Sequence, residues 1–261
     1  MRGGAANRPH KEKPFPLLYE EIFLTSLQKN RMKEVELKKY IAEEVSRIQP
    51  NEIHARIRAL RIPHIMTTNY EYSLEGKPPK SNSSLVKEQL YSVFRCARHE
   101  DTTYWHVHGE CRSPRSINLG YEHYGGQLQQ MRNYVVTGTL YQTDKILKDS
   151  LEYRLREKQI NYQSWLDLFF TTNVHIFGLS LDFSETDLWW LLTFRARLKF
   201  YKEAAVNNEL FYYVPDKFAE SSKFKLEMLQ ATGVTVVVLP YASPLAYYHL
   251  VLDEITRAAG V

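Results

Sequence analysis

Five short apolar segments constrain the fold of this chain more than any other feature of its sequence. Each has the length of a β-strand and falls short of a typical helix. The segments cover residues 62–66, 104–108, 173–179, 209–214 and 234–240. Long helical patterns separate and follow the later segments. Strands that alternate with helices predict an α/β protein, in which a parallel sheet carries helices on both of its faces.

The remaining parts of the chain are interpreted as helical. Residues 14–60 carry apolar side chains at helical spacing, with charges on the opposite faces, and predict N-terminal helices. Residues 110–170 are rich in tyrosine and mostly helical in pattern, which favours a helical insertion that caps the sheet. Because the sequence shows no repeat and no linker, we predict a single domain over residues 1–261.

Composition and charge exclude several classes of protein. The 261 residues carry a net charge of only +4, so direct binding to nucleic acid is not indicated. No apolar run approaches the roughly 20 residues of a membrane-spanning helix, and residues 1–16 lack the apolar core of a signal peptide. Two cysteines provide neither a disulfide framework nor a four-thiolate zinc site. We therefore expect a soluble, cytoplasmic protein without zinc.

Polar residues follow three of the predicted strands, at the point where each strand ends. They form the stretches TTNYE at residues 67–71, HVHGE at 106–110 and GLSLDFSETD at 178–187. In an open parallel sheet, ligands bind outside the carboxyl ends of the strands. Taken singly, an Asn at a strand end indicates a turn, a strand His is usually a hydrogen-bonded core residue, and Gly-x-Ser before a helix indicates a cap. Three such stretches at one edge favour a ligand site.

The three stretches together resemble the SIR2-like proteins of bacterial defence, which are distant relatives of sirtuins. Members of that family carry a Thr-Thr-Asn-Tyr-Asp motif, a His-Gly motif and a later Gly-x-Ser, followed by an aspartate that opens a long helix. The resemblance covers about residues 14–258 and is specific in these motifs alone. It implies a Rossmann-like sheet with a helical module, in agreement with the strand and helix patterns, and it implies NAD as the ligand.

The resemblance also implies roles for single residues. Asn69 would hold the ribose or the attacking water, and His108 would be the general base, so these two are the predicted catalytic residues. Gly178 and Ser180 would line the adenosine half of the ligand. The other predicted cofactor-binding residues are Thr67, Thr68, Tyr70, Glu71, Gly109 and Asp187. Glu71 stands where the family has an aspartate.

The two histidines of HVHG receive different predictions. Gly109 allows a sharp turn after the strand, so we expect His108 to lie at the crevice and His106 to pack deeper, bonded to a neighbour. A metal site at these histidines is not predicted, because no nearby Cys, Asp or Glu completes a recognised spacing. Tyr121 and Tyr124 resemble a family tyrosine that covers the site, and packing on a helix face is an equally good interpretation.

Three functions remain open at this point. The first is an NAD hydrolase that produces nicotinamide and ADP-ribose as the effector of an antiphage system. The second is an NAD-dependent protein deacylase, which usually needs a zinc module of four cysteines. The third is a non-catalytic nucleotide-binding or assembly subunit. The resemblance further implies a homo-oligomer gated by a partner such as a HerA-type ATPase or an Argonaute.

The N-terminus bears on the choice between these functions. SIR2-like proteins open with an apolar strand and a glycine-rich loop whose backbone N–H groups meet the pyrophosphate. Here only Met1 and Arg2 precede the glycines, and Gly3-Gly4-Ala5-Ala6 is the candidate for a divergent loop. Without that loop we expect the chain to bind NAD weakly.

Overall fold

The computed structural model describes residues 13–29, 31–79, 90–139, 147–201 and 205–259, and the candidate loop at residues 3–6 lies outside them. The chain is a mixed α/β protein. Its strands are β1 (His64–Thr67), β2 (Cys96–His99), β3 (Thr102–His106), β4 (Val174–Ile176), β5 (Leu210–Pro215) and β6 (Val234–Leu239). Its α-helices are α1 (Phe15–Gln28), α2 (Glu34–Val45), α3 (Glu52–Ala59), α4 (Tyr121–Arg132), α5 (Leu151–Arg156), α6 (Trp165–Thr171), α7 (Thr186–Tyr201), α8 (Asp216–Ala219), α9 (Lys223–Ala231) and α10 (Pro244–Ala259).

The described strands form two small sheets, so the predicted Rossmann-like arrangement in one parallel sheet is not confirmed. The first sheet has the order β1-β3-β2, with β1 parallel to β3 and β2 antiparallel to it. The second has the order β4-β5-β6 and is parallel throughout. Five strands overlap the apolar segments of the sequence, whereas β2 was not predicted. Its sequence, CARH, has only two small apolar side chains, those of Cys96 and Ala97, so it lacks the longer apolar run typical of a strand.

Helices cover both faces of the second sheet. Alternate side chains of a strand point to opposite faces, so Tyr212 packs into the cluster that contains α6, α7 and α9, while Tyr213 packs against α3 and α10. The first sheet joins the same two clusters, because Met66 of β1 belongs to the former and Ile65 to the latter. The two sheets therefore lie between shared helical layers.

The N-terminal helices and the insertion surround the carboxyl ends of the first sheet. Helix α3 begins at Asn51, whose side chain accepts the backbone N–H groups of Ile53 and His54. A separate apolar cluster joins α1 and α2 to the segments that follow β1 and β3. Within the predicted insertion, Ser164 caps the N-terminus of α6 and forms a capping box with Asp167.

In the described part of the chain, no helix is long and apolar enough to cross a bilayer.

Candidate functional site

A cavity of about 510 Å³ lies between β1 and β4. Thr67, Thr68 and Asn69 line it from the end of β1, and Gly178 lines it from the loop after β4. Thr67 shapes this end of β1, because its hydroxyl accepts the backbone N–H of Asn69 (3.0 Å). The side chain of Asn69 is exposed. Four predicted site residues therefore meet at one polar end of the cavity.

Gly109 turns the chain out of β3 and places His108 beyond the strand. Its φ is +98°, and a Cβ at this position would lie 2.2 Å from the carbonyl oxygen of Ser116. Both the backbone conformation and the close contact require glycine. The carbonyl oxygen of His108 accepts the backbone N–H of Asn118 (2.9 Å), which holds the turn in place.

His108 is paired with Asp187 at the start of α7. Its Nε2 lies 2.9 Å from Oδ2 of Asp187, and the exposed fractions are 2 % for His108 and 0 % for Asp187. A carboxylate at a helix N-terminus interacts favourably with the helix dipole. The second oxygen, Oδ1 of Asp187, is buried without a hydrogen-bond partner among the described residues. The predicted base is therefore oriented by a buried carboxylate, that of Asp187, a residue predicted to bind the cofactor.

The protonation of His108 follows from this pairing. Burial opposes the charged imidazole, but the charge and hydrogen bond of Asp187, aided by the charge of Glu185, outweigh burial and raise the pKa of His108. Because Nε2 donates to Asp187, Nδ1 is the atom left for proton exchange, and it has no hydrogen-bond partner among the described residues. An oriented imidazole with one unused nitrogen is suited to general base catalysis.

His106 is also buried, but both of its nitrogens are occupied. Nδ1 lies 3.0 Å from the carbonyl oxygen of Asn69, and Nε2 lies 2.7 Å from Oε1 of Glu75. Burial lowers the pKa of His106, yet the hydrogen bond and charge of Glu75 outweigh it, so the net pKa is raised. Because both partners are acceptors, His106 donates from both nitrogens and stabilises the backbone of the loop that carries Asn69.

Aromatic side chains enclose His108. The ring of Tyr124 on α4 meets its imidazole edge to face, with 5.3 Å between the ring centres. Tyr70 donates its hydroxyl hydrogen to the carbonyl oxygen of Asn118 at 2.5 Å. Burial, followed by the charges of Glu185 and Asp187, raises the pKa of the Tyr70 hydroxyl. Tyr70 thus remains protonated near neutral pH and ties the loop after β1 to the turn after His108.

The loop between β4 and α7 contains two more predicted site residues, Gly178 and Ser180. Gly178 has a φ of +67°, and a Cβ there would lie 3.3 Å from the hydroxyl of Tyr248. Ser180 is exposed, and its carbonyl oxygen accepts a hydrogen bond from Lys225 (2.7 Å). Only Gly178 of this pair lines the cavity.

The predicted residues therefore divide into separate groups. His108 and Asp187 form a buried pair that does not line the cavity, so the expectation that His108 lies at the crevice is wrong in this structure. The physical reason is that Tyr124 and the turn at Gly109 enclose the imidazole. Glu71 is buried near His54, whose pKa is lowered by burial, and the charge of Glu71 opposes this lowering without reversing it.

Sequence reasoning missed Glu75, Asn118 and Glu185. Glu75 lies four residues beyond the recognised motif, and nothing in its spacing indicates that it pairs with His106. Asn118 lies in an irregular segment of the insertion. Glu185 lies two residues before Asp187 in the stretch SETD, so its proximity to that carboxylate was the one available signal.

Within the described ranges, no group of three or more His, Cys, Asp or Glu residues could hold a metal ion.

Comparison with known proteins adds one finding. Residues 63–182 match the family of the SIR2-like domain, and this range contains the stretches after β1 and β3 and the first part of the stretch after β4, whereas Asp187 lies beyond it. Comparisons with curated proteins and with solved structures each found no significant match. At the level of the family, the match indicates a function related to NAD. The resemblance to SIR2-like proteins is thus confirmed over residues 63–182, which match the SIR2-like domain family.

Proposed function

We propose that this chain cleaves NAD⁺ with water to nicotinamide and ADP-ribose, releasing one proton. The observation that carries the proposal is the buried His108–Asp187 pair, in which one carboxylate orients the imidazole and leaves Nδ1 without a partner among the described residues. Burying two ionisable groups costs desolvation free energy, and the unoccupied Nδ1 distinguishes this pair from the buried His106–Glu75 pair, in which both ring nitrogens are bonded. Perturbed pKa values of paired buried groups are typical of functional sites.

Each residue has a defined task in this proposal. Nδ1 of His108 accepts the proton of a water molecule, while Asp187 keeps the proton on Nε2 and stabilises the imidazolium that forms. Asn69, exposed at the mouth of the cavity, orients the water or a ribose hydroxyl through its amide. His106 and Thr67 hold the backbone of Asn69 in place by hydrogen bonds.

The residues that line the cavity fit a ribose of NAD better than they fit its diphosphate. Thr68, Asn69 and the positive-φ turn at Gly178 provide hydroxyl, amide and close backbone approach for a ribose. Among the described residues that line the cavity, none is Lys or Arg, so the charge of a diphosphate is not compensated there. We therefore expect weak binding of NAD by this chain alone, and calorimetry that gives a tight affinity would contradict this expectation.

Incubation with NAD tests the proposal directly. Nicotinamide and ADP-ribose are followed by chromatography, and free ADP-ribose is included as a reference. The matched control is His108→Gln, whose amide can still donate to Asp187 but cannot accept a proton. Production of both compounds by the chain, and not by His108→Gln, supports the proposal. Absence of both at high NAD concentration, with and without a candidate partner, overturns it.

A second function has one observation in its favour. His108 is almost fully buried and lies outside the cavity lining, as in a protein that binds a nucleotide without turning it over. In that case NAD would protect the chain against thermal unfolding, and neither nicotinamide nor ADP-ribose would form. A deacylase would instead consume an acetyl-lysine peptide together with NAD, which the same chromatography detects.

We further propose that the chain acts in the cytoplasm as a homo-oligomer within a defence system, gated by a HerA-type ATPase or an Argonaute. Helix α1 supports assembly, because its large apolar residues remain exposed. These are Phe15, Leu17, Ile22, Leu24 and Leu27. Exposed apolar faces are typical of interaction surfaces. Sedimentation of the wild type against Leu24→Lys tests this, and a monomer in both cases argues against self-association through α1.

A further inference from the structure

Tyr124 covers the imidazole of His108. Its ring meets the imidazole edge to face, with 5.3 Å between the ring centres, and its side chain is itself buried. The hydroxyl of Tyr124 has no hydrogen-bond partner among the described residues. The ring is therefore held over His108 by packing and by the position of the first turn of α4, to which it belongs.

His123, next to Tyr124, fixes that first turn. Its Nδ1 accepts the backbone N–H groups of Leu119 (3.1 Å) and Gly120 (3.0 Å), which directly precede α4. Burial and the charge of Lys38 lower the pKa of His123. The ring is thus neutral near pH 7, so Nδ1 remains an acceptor and Nε2 carries the proton.

Glu34 of α2 holds His123 from its other nitrogen. Its Oε1 accepts the Nε2–H of His123 (2.8 Å) and the hydroxyl of Tyr19 on α1 (3.1 Å). Helix α1 also packs closely against the residue before α4, since a Cβ on Gly120 would lie 2.7 Å from a ring carbon of Tyr19. One carboxylate thus joins α1, α2 and the N-terminus of α4.

The closed arrangement leaves buried polar atoms unsatisfied. Oδ1 of Asp187, Oδ1 of Asn118 and Nε2 of Gln127 have no hydrogen-bond partners among the described residues. Asp187 and Asn118 both bond to His108 through other atoms, and Gln127 lies one turn after Tyr124 on α4. Each unsatisfied atom favours an open state in which water reaches it. Closure over His108 therefore needs contacts that oppose opening.

We propose that Glu34 keeps Tyr124 closed over His108, and that loss of its contacts opens His108 to solvent. Without Glu34, the buried Nε2–H of His123 and the buried hydroxyl of Tyr19 lose their acceptor. Buried donors without an acceptor are costly, so the first turn of α4 moves toward water and carries Tyr124 with it. Glu34 and His123 are thus positioning residues.

The role of this opening rests on the proposed function, because a base enclosed by Tyr124 needs a path for water. The opening itself is measured without NAD. A chain that opens as proposed but does not cleave NAD would therefore contradict the proposed function alone.

Hydrogen exchange at the C2 position of histidine tests the proposal, because it measures the access of solvent to each imidazole. The full chain is incubated in D₂O over several days, and fragment ions of the tryptic peptide at residues 99–112 separate His106 from His108. Maximal rates from a pH series are compared, so that a change in pKa is not mistaken for a change in access. His106 is the internal reference, because it is equally buried but lies against Tyr72.

Glu34→Ala should exchange about tenfold faster than the wild type at His108 and at an unchanged rate at His106. A hydrogen bond to a charged group is strong enough to shift an opening equilibrium by this factor. Glu34→Gln keeps an acceptor oxygen without the charge, so it disturbs folding less and should accelerate His108 by a smaller factor. The matched control is Glu43→Ala, which removes the same charge from an exposed position of α2 and should change neither rate.

A double variant shows whether Glu34 acts through Tyr124. Tyr124→Ala removes the cover directly and should accelerate exchange at His108. Adding Glu34→Ala to it should give no further acceleration, because both changes act through the same ring. Full additivity of the two changes would show that Glu34 acts by another route, and would overturn the proposal.

Results on the single variants can overturn the proposal as well. It is overturned if exchange at His108 is already fast in the wild type, or if neither Glu34 variant alters it. It is also overturned if both Glu34 variants accelerate His106 as much as His108, since that result indicates general destabilisation.

Discussion

His106 and His108 lie two residues apart, are both buried and are both paired with a buried carboxylate, yet they differ in one respect. His106 uses both of its nitrogens, one toward Glu75 and one toward the backbone of Asn69. Among the residues that the structure describes, His108 is bonded only through Nε2, toward Asp187. A histidine with two acceptors has no free position for a reaction, whereas a histidine with one acceptor can still exchange a proton.

The difference arises at the end of β3. His106 is the last residue of the strand and stays within its hydrogen-bonded framework. His108 follows the strand and is turned toward α7 by the positive-φ glycine at position 109. Residue type and burial therefore do not separate a structural histidine from a candidate base. The number of occupied nitrogens separates them, and this number depends on partners from distant parts of the chain.

The largest expected effect concerns NAD turnover. His108→Gln should lower the rate by about 10²–10⁴-fold, because the amide keeps the bond to Asp187 but cannot act as a base. His106→Gln should keep most of the rate per folded molecule. Rates of nicotinamide release, normalised to the folded fraction from circular dichroism, provide the measurement. Similar losses in both variants would remove the distinction between the two histidines.

The next effect concerns stability. His106→Ala leaves Glu75 buried without its partner and should lower the free energy of unfolding by about 3–5 kcal/mol, measured by urea denaturation. The double variant His106→Leu with Glu75→Met removes both polar groups and should recover most of this loss. If His106→Ala unfolds at the same urea concentration as the wild type, the pair does not stabilise the fold.

A smaller effect is expected at the turn that separates the histidines. Gly109→Ala combines an unfavourable φ with a clash against the backbone of Ser116, and should cost about 2 kcal/mol or more. The matched control is Gly125→Ala on α4, where a Cβ meets no atom within 4 Å and should stabilise the helix by about 0.5–1 kcal/mol. Thermal unfolding of the two variants should therefore shift in opposite directions.

The smallest effect is the pH dependence of each pair. The pKa values of both histidines are raised above their unfolded value of about 6.5. Their contribution is thus fully present below about pH 6.5 and is lost as the pH rises through the folded pKa. The free energy of unfolding should fall as the pH rises above about 6.5, by at most about 1.4 kcal/mol per pH unit for each histidine.

Variants assign this slope to each histidine. Urea denaturation of His106→Gln and of His108→Gln at several pH values should each show a smaller fall than the wild type. His54, His64, His123 and His175 do not interfere, because their pKa values are lowered and they act mainly below about pH 6.5. A wild-type stability that rises over this pH range would contradict the raised pKa values.

The sequence by itself determined the local features of this protein. Short continuous apolar runs located β1 and β3 to β6, because a strand buried between helical layers is apolar on both of its faces. The stretches TTNYE, HVHG and GLS were recognised because their residue types are unusual at strand ends, and the family match covers all three. The need for glycine at position 109 was also readable, since a turn directly after a strand favours it.

The tertiary structure alone decided how these features are combined. It divided the expected single sheet into two, because β1 and β4 have no strand between them among the described residues. It assigned Asp187 to His108 and Glu75 to His106, although these carboxylates lie 79 residues after and 31 residues before their histidines. Such pairings depend on helix positions and on layers that meet only after folding, so no local pattern in the sequence encodes them.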